Sequence, residues 1–135
     1  MADNLMTLKI ISPDRIFYEG ATSFVEMVTS EGEIGVYKNH IPMTNILAPG
    51  IIKIHEEDGV KEAAIHAGFV EILPDNIVVM AEIAEWPDEI DINRAKEAKI
   101  RAERRLGGEH AGIDIMRAEI ALKKSLTRIE LTERK

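Results

Sequence analysis

Pro87 divides the chain into two stretches that no single kind of element can build. Proline pushes the residue before it out of the helical region, so Trp86-Pro87 is a natural boundary. Before it, apolar residues recur at every second position. Met6, Leu8 and Ile10 alternate with Thr7 and Lys9, and Ile52 and Ile54 flank Lys53. Ala63, Ile65 and Ala67 alternate with Ala64 and His66, and Ile77, Val79, Ala81 and Ile83 form a longer row. This is the period of strands with one buried face. After it, Ile90 to Leu106 and Ile113 to Lys135 contain neither proline nor glycine. Ala, Lys, Arg and Glu dominate the first of these runs, all of them good helix formers.

Turn chemistry punctuates the first stretch. Ser12-Pro13-Asp14, Ser30-Glu31-Gly32, Ala48-Pro49-Gly50, Glu57-Asp58-Gly59 and Pro74-Asp75-Asn76 separate the apolar segments. Pro49-Gly50 fits a type II turn, with the glycine at positive φ. Asp58-Gly59 fits a tight hairpin. Short strands at this turn spacing predict an antiparallel sandwich or flattened barrel over residues 1–86. In the second stretch Asp88 or Asp91 can cap a helix. Ala95, Ala98, Ala102 and Leu106 mark a narrow helix face of mostly small residues, and Gly107 to Gly112 breaks the helix. Residues 87–135 therefore read as an antiparallel two-helix hairpin. The class is α+β. With 135 residues such a chain buries a core without staples, and it has no cysteine to make them.

Charge also changes sign along the chain. Residues 1–89 hold 5 Lys and Arg against 16 Asp and Glu, and residues 90–135 hold 12 against 8. The acidic first unit repels nucleic acid and anionic lipid. The longest apolar run, Ile77 to Ala81, is far short of the roughly 20 residues of a membrane span. With no signal segment at the start, the expectation is a cytoplasmic protein whose membrane link comes through a partner.

The basic residues are patterned. Arg94, Arg101 and Arg105 lie within about 20° of one line on a helix, and Arg117, Lys124 and Arg128 repeat the spacing. The hexapeptide from Ile90 to Ala95 returns at Ile113 to Ala118 with five of six positions identical. A repeated helix start with a cap accounts for it equally well. If the hairpin folds back on the sandwich, the stripes can converge on a polyphosphate. Otherwise they are a solvated face, or meet an acidic protein partner. No catalytic constellation stands out. There is no Gly-Lys-Ser/Thr loop, and His40, His55, His66 and His110 show no metal-ligand spacing. His55 and His66 read as structural or surface residues.

Specific segments then carry a resemblance. They are Ser30 to Tyr37, Asn39-His40-Ile41-Pro42-Met43, Leu47 to Gly50 and Ala67 to Ile72, followed by an Arg/Ala-rich helix pair. Together they resemble the epsilon subunit of the bacterial F-type ATP synthase over essentially the whole chain. The resemblance implies a sandwich of about ten strands and a two-helix hairpin. It implies a non-catalytic subunit of the rotor's central stalk in a proton-translocating enzyme, peripheral on the cytoplasmic face of the cell membrane. The sandwich would contact the gamma subunit and the c-ring. The helices would fold down, or extend towards the catalytic alpha and beta subunits and inhibit ATP hydrolysis. The turn from Glu31 to Glu33 and the neighbourhood of His40 match the family's region of contact with the ring and gamma. Glu31, Glu33 and His40 are therefore interface candidates.

One subgroup, similar to the subunit of thermophilic bacilli, binds ATP in the folded-down state. Its Ile/Leu-Asp-x-x-Arg-Ala signature fits Ile90 to Ala95. By that resemblance Glu85, Ile90, Asp91 and Ala95 would surround adenine, and Arg94, Arg101, Lys124 and Arg128 the phosphates. Lys124 departs from the arginine expected there, keeping the charge without the paired fork. No metal is required. The rival reading is a free-standing ATP-sensing protein without catalytic activity.

Overall fold

The computed structural model describes residues 4–107 and 115–134. Of the expected glycine break from Gly107 to Gly112 only Gly107 is described; the rest, with His110, lies outside the described residues, as does the start of the repeated hexapeptide at Ile113-Asp114. Eight strands come first: β1 Met6–Ser12, β2 Arg15–Thr22, β3 Phe24–Thr29, β4 Gly32–Tyr37, β5 Met43–Ile46, β6 Gly50–Glu56, β7 Gly59–Leu73 and β8 Asn76–Glu85. A single 3-10 turn, Pro87–Glu89, leads to α1 Ile92–Leu106, and α2 spans Ile115–Glu133.

Four of the turn signals close hairpins with two-residue turns, pairing Ser12 with Arg15, Thr29 with Gly32, Glu56 with Gly59 and Leu73 with Asn76. The fifth differs. Gly50 is not at positive φ, so Pro49-Gly50 is not the expected type II turn. Gly50 instead opens β6, where a Cβ would collide with the Val28 side chain. Close approach, and not backbone handedness, explains that glycine.

The sheet order is β2-β1-β8-β7-β6-β3-β4, with β5 added on β7. β1 and β8 run parallel and the other pairs antiparallel. The sheet curls until its far strand returns. The Tyr18 hydroxyl of β2 donates to Glu56 of β6, and Thr22 Oγ1 donates to the His55 carbonyl at 2.8 Å. This closure makes a sandwich, as the period-two pattern predicted, but with eight strands among the described residues rather than about ten. β7 accounts for part of the difference. Its 15 residues pair with β6 in the first half and β5 in the second. Between the halves Ala67 and Gly68 sit at φ 64° and 119°, bending the strand without ending it.

One apolar core fills the sandwich. Leu8, Ile10, Val25, Ile54, Val70, Ile72 and Val79 are fully buried in it, and every core member but Leu47, just after β5, comes from a strand. Truncating one such Ile or Leu to Ala costs about 2–5 kcal/mol. The row on β8 breaks late, because Ile83 is exposed and Ala84 buried. On β7 both faces are covered: Ala63 and Ile65 face the core, while Ala64 and His66 are buried on the other side. The helices cover that second side, with α2 packing on β6 and β7. Ala95 and Ala102 of α1 and Ala118 and Ser125 of α2 are buried, and their small side chains allow close approach. The hairpin is thus folded down on the sandwich. The start of α1 meets the end of α2, since Ile92 and Lys96 share a groove with Thr132 and Glu133.

Candidate functional site

The residues that carry the chain from β8 into α1 line a cavity of about 360 Å³. Glu85 ends β8, and Glu89, Ile90 and Asp91 form the passage into the helix. Arg94, Ala95, Ala98 and Arg101 follow along α1, and Arg128 enters from α2. The spacing follows from the helix: these four positions of α1 recur one and two turns apart, so they share a face. Of the two candidate caps, Asp91 is the one used. Its Oδ1 accepts from the backbone N–H groups of Asn93 at 3.1 Å and Arg94 at 3.2 Å, which sets the register of that face. Alanine at positions 95 and 98 leaves the wall thin.

The passage is pinned to the sandwich. Trp86 stacks on Phe17 with ring centroids 4.3 Å apart and 16° between planes. Arg15 Nη2 donates to Glu89 Oε1 at 2.8 Å, and the Trp86 N–H donates to the same oxygen at 2.9 Å. These bonds hold Glu89 below its ordinary carboxyl value, the Arg15 contact contributing most.

Glu85 is held from two elements. His66 Nε2 lies 3.0 Å from its Oε1, and Arg128 Nε lies 2.7 Å from the same atom. Burial opposes ionisation of Glu85, but the hydrogen bonds from His66 and Arg128 outweigh it and move its carboxyl downward. His66 is 0% exposed. Burial pushes it towards the neutral form, Arg128 and Lys124 add to that push, and the Glu85 contact only partly offsets it. Among the described residues Arg94 and Arg101 form no ion pair. The cavity therefore presents carboxylates near the start of α1 and guanidinium groups farther along it. Such a wall suits a ligand with hydrogen-bond donors at one end and anionic oxygens at the other.

Seven of the eight residues named for a nucleotide line this cavity: Glu85, Ile90, Asp91, Arg94, Ala95, Arg101 and Arg128. Lys124 does not, although it lies one turn before Arg128 and is close enough to His66 to oppose its protonation. Arg105 and Arg117 of the two stripes are also outside the lining. Glu89, Ala98 and His66 were not anticipated. Ala98 belongs to the alanine face already visible in the sequence. His66 could have been found by counting pairs back from the Pro74-Asp75 turn, which sets Ala64 opposite Glu85.

The interface candidates lie elsewhere. Glu31 is in the β3–β4 turn and Glu33 is the second residue of β4, both exposed. His40 sits in the loop before β5, where its Nδ1 is 2.6 Å from the Ile41 carbonyl oxygen. No hydrogen bond or ion pair among the described residues joins His40 to either glutamate. The turn adjoins one end of β5, through Ser30 N–H to the Ile46 carbonyl, and the His40 loop adjoins the other. An exposed apolar row runs beside them: Ile46 on β5, Phe69 opposite it on β7, and Met80 opposite that on β8.

Comparison with known proteins gives consistent results. The family model for the ATP synthase delta/epsilon chain beta-sandwich domain matches residues 5–87, and that for its long alpha-helix domain matches residues 88–133. The ATP synthase epsilon chain of Shouchella clausii is 41% identical over 128 residues, covering 95% of each chain. That of Ruminiclostridium cellulolyticum is 38% identical, covering 95% of this chain and 96% of its own. Among solved structures, a chain of the mitochondrial ATP synthase of Euglena gracilis shares the fold at a TM-score of 0.81 and 24% identity. The match spans 97% of this chain and 81% of that one. Matched in both halves, and aligned nearly end to end with curated relatives, the chain belongs to the family of bacterial F-type ATP synthase epsilon chains.

Proposed function

We propose that this epsilon chain is the ATP-responsive element of the synthase rotor, with its sandwich seated on the gamma subunit and c-ring at the cytoplasmic face of the membrane. The chain is a non-catalytic subunit of a membrane-associated complex. No helix among the described residues is long and apolar enough to cross a membrane. The exposed row of Ile46, Phe69 and Met80 supports a protein-contacting sandwich face, because contiguous apolar surface of this kind marks interaction sites. Glu31, Glu33 and His40, at the two ends of β5, are the polar candidates around it.

The observation that carries the ATP reading is the shared cavity. Residues from β8, the linker, α1 and α2 meet there only while the hairpin is folded down. Arg94, Arg101 and the terminal nitrogens of Arg128 would take phosphate oxygens, with Lys124 adding charge from outside the lining. Glu85, Ile90, Asp91 and Ala95 would surround adenine. A ligand that needs both helices and the sandwich at once stabilises the folded-down state over the extended one. High ATP would thus keep the hairpin from extending towards the catalytic subunits, and low ATP would release it to inhibit hydrolysis.

Calorimetry on the full chain tests this. ATP binds with measurable heat at millimolar concentration or below. Arg94→Ala weakens binding by about ten- to a hundredfold, the loss of one charged hydrogen bond of about 1.5–3 kcal/mol. No heat, or wild-type binding by Arg94→Ala, removes the ATP role.

A further inference from the structure

We propose that His66 is a positioning residue of the nucleotide site, fixing Glu85 as an acceptor so that the site selects a base bearing an amine over one bearing a carbonyl at the same place. The inference rests on reading the cavity as an ATP site.

His66 is on the face of β7 turned away from the sandwich core and is wholly buried. The charged groups that face it are Glu85 from β8 and Arg128 and Lys124 from α2. A carboxylate at 3.0 Å from Nε2 requires a proton there. Nδ1 is buried without a partner, so a second proton would be a buried donor with nothing to receive it. The two nearby cations oppose that proton as well. The ring is therefore neutral and protonated on Nε2, a donor with one fixed direction.

That donor and Arg128 Nε both bind Glu85 Oε1. No described residue donates to Oε2, and Glu85 lines the cavity. One oxygen is thus anchored and the other keeps its full capacity to accept. An ionised carboxylate has no proton to give, so whatever meets Oε2 must donate. A purine amine does so. A carbonyl oxygen in its place sets acceptor against acceptor and leaves both unpaired. Without His66 the carboxylate would hang from Arg128 alone, and its side-chain rotors would be free to carry Oε2 away from the ligand.

The test is calorimetry on the full chain with ATP and with inosine triphosphate, whose base carries a carbonyl where adenine carries its amine. Wild type favours ATP by about ten- to a hundredfold. His66→Gln keeps an N–H donor and most of that preference. His66→Leu fills the space without a donor, and the preference falls to a few-fold. It falls through lost ATP affinity, since Arg94 and Arg101 still serve both ligands. Glu85→Gln supplies an amide that can donate and narrows the ratio with His66 untouched, which keeps the inference open to test should His66→Leu fail to fold. A wild type indifferent to the base, or a wild-type ratio in either His66→Leu or Glu85→Gln, overturns the role of His66 while leaving the ATP site in place. Absence of heat with either nucleotide overturns the ATP reading and this inference with it.

Discussion

Arg128 and Glu85 stand 43 positions apart in the chain, yet the guanidinium Nε of one lies 2.7 Å from the carboxylate of the other. The bond ties α2 to the last strand of the sandwich. Arg134 makes a second tie, to Glu62 on β7. The two differ in setting. The Arg128 and Glu85 side chains are 25% and 21% exposed, whereas Arg134 is more open and shares itself with Glu130. A shielded charged hydrogen bond contributes about 1.5–3 kcal/mol, and a surface ion pair about 0.2–1 kcal/mol. Arg128→Ala should therefore speed amide hydrogen exchange throughout α2 by about ten- to a hundredfold, and Arg134→Ala by only a few-fold. Equal effects of the two substitutions would contradict this ranking.

Docking should also depend on pH. Folded down, the hairpin keeps His66 buried and neutral, with its proton affinity below the ordinary histidine value of 6.5. Released, His66 meets water and regains that value. Above pH 6.5 neither state carries the proton, so the contribution is complete. As pH falls below 6.5 the released state takes up a proton that the docked state resists, and docking weakens. Glu85 acts in the same direction but lower, because its docked value is below the ordinary 4.5. Exchange protection of α2 should decline in two steps, one starting near pH 6.5 and one below pH 4.5. His66→Gln should abolish the first step and leave the second.

Both kinds of element were legible because period two and helical spacing are different signals and Pro87 stands between them. Hairpin turns were legible because Pro13-Asp14 and Pro74-Asp75 act through local chemistry alone. What depended on tertiary packing was not. Nothing at Ala67-Gly68 reads as a turn, because β7 bends there while remaining paired to β8 on both sides, so one strand serves as two. Gly50 carried a turn signal but answers to Val28, a residue 22 positions earlier. The candidate site shows the same division. Ile90 to Ala95 and the arginine spacing were visible in the chain, and folding back the hairpin aligns them. His66 looked like a strand histidine, since only the packed α2 encloses it against Glu85. Lys124 shared the spacing of Arg128 and yet falls outside the cavity wall.

Ala67 offers a stability test of backbone conformation. At φ 64° its Cβ crowds the following backbone, a cost of roughly 1–2 kcal/mol that glycine escapes. Glycine in turn loses more chain entropy on folding, of roughly 0.5–1 kcal/mol. The net expectation for Ala67→Gly is a gain of about 0.5–1 kcal/mol in urea unfolding with an unchanged slope. The neighbouring Gly68→Ala should do the reverse and more, because at φ 119° its Cβ would run into the Met80 carbonyl.

The sandwich should fold without its helices. Every member of the apolar core lies between Met6 and Ala84, and the helix residues that become buried belong to none of it. Trp86, packed against that core through Phe17 and Tyr18, is the single tryptophan of the chain and reports on the sandwich directly. A chain ending at Glu89 keeps the Arg15–Glu89 pair and the stacked rings, and loses the cover over Ala64 and His66 together with the Arg128–Glu85 and Arg134–Glu62 ties. It should show a β-type far-ultraviolet spectrum, a blue-shifted Trp86 emission and cooperative unfolding. Its stability should fall below that of the full chain by no more than the helices' docking contributes. In the full chain, lowering the pH from 7 to 5.5 should loosen α2 before Trp86 emission moves, since His66 lies under the helix and Trp86 against the core. Simultaneous loss of both signals at every pH would mean that sandwich and hairpin form one cooperative unit, with no independent docking step for ATP to control.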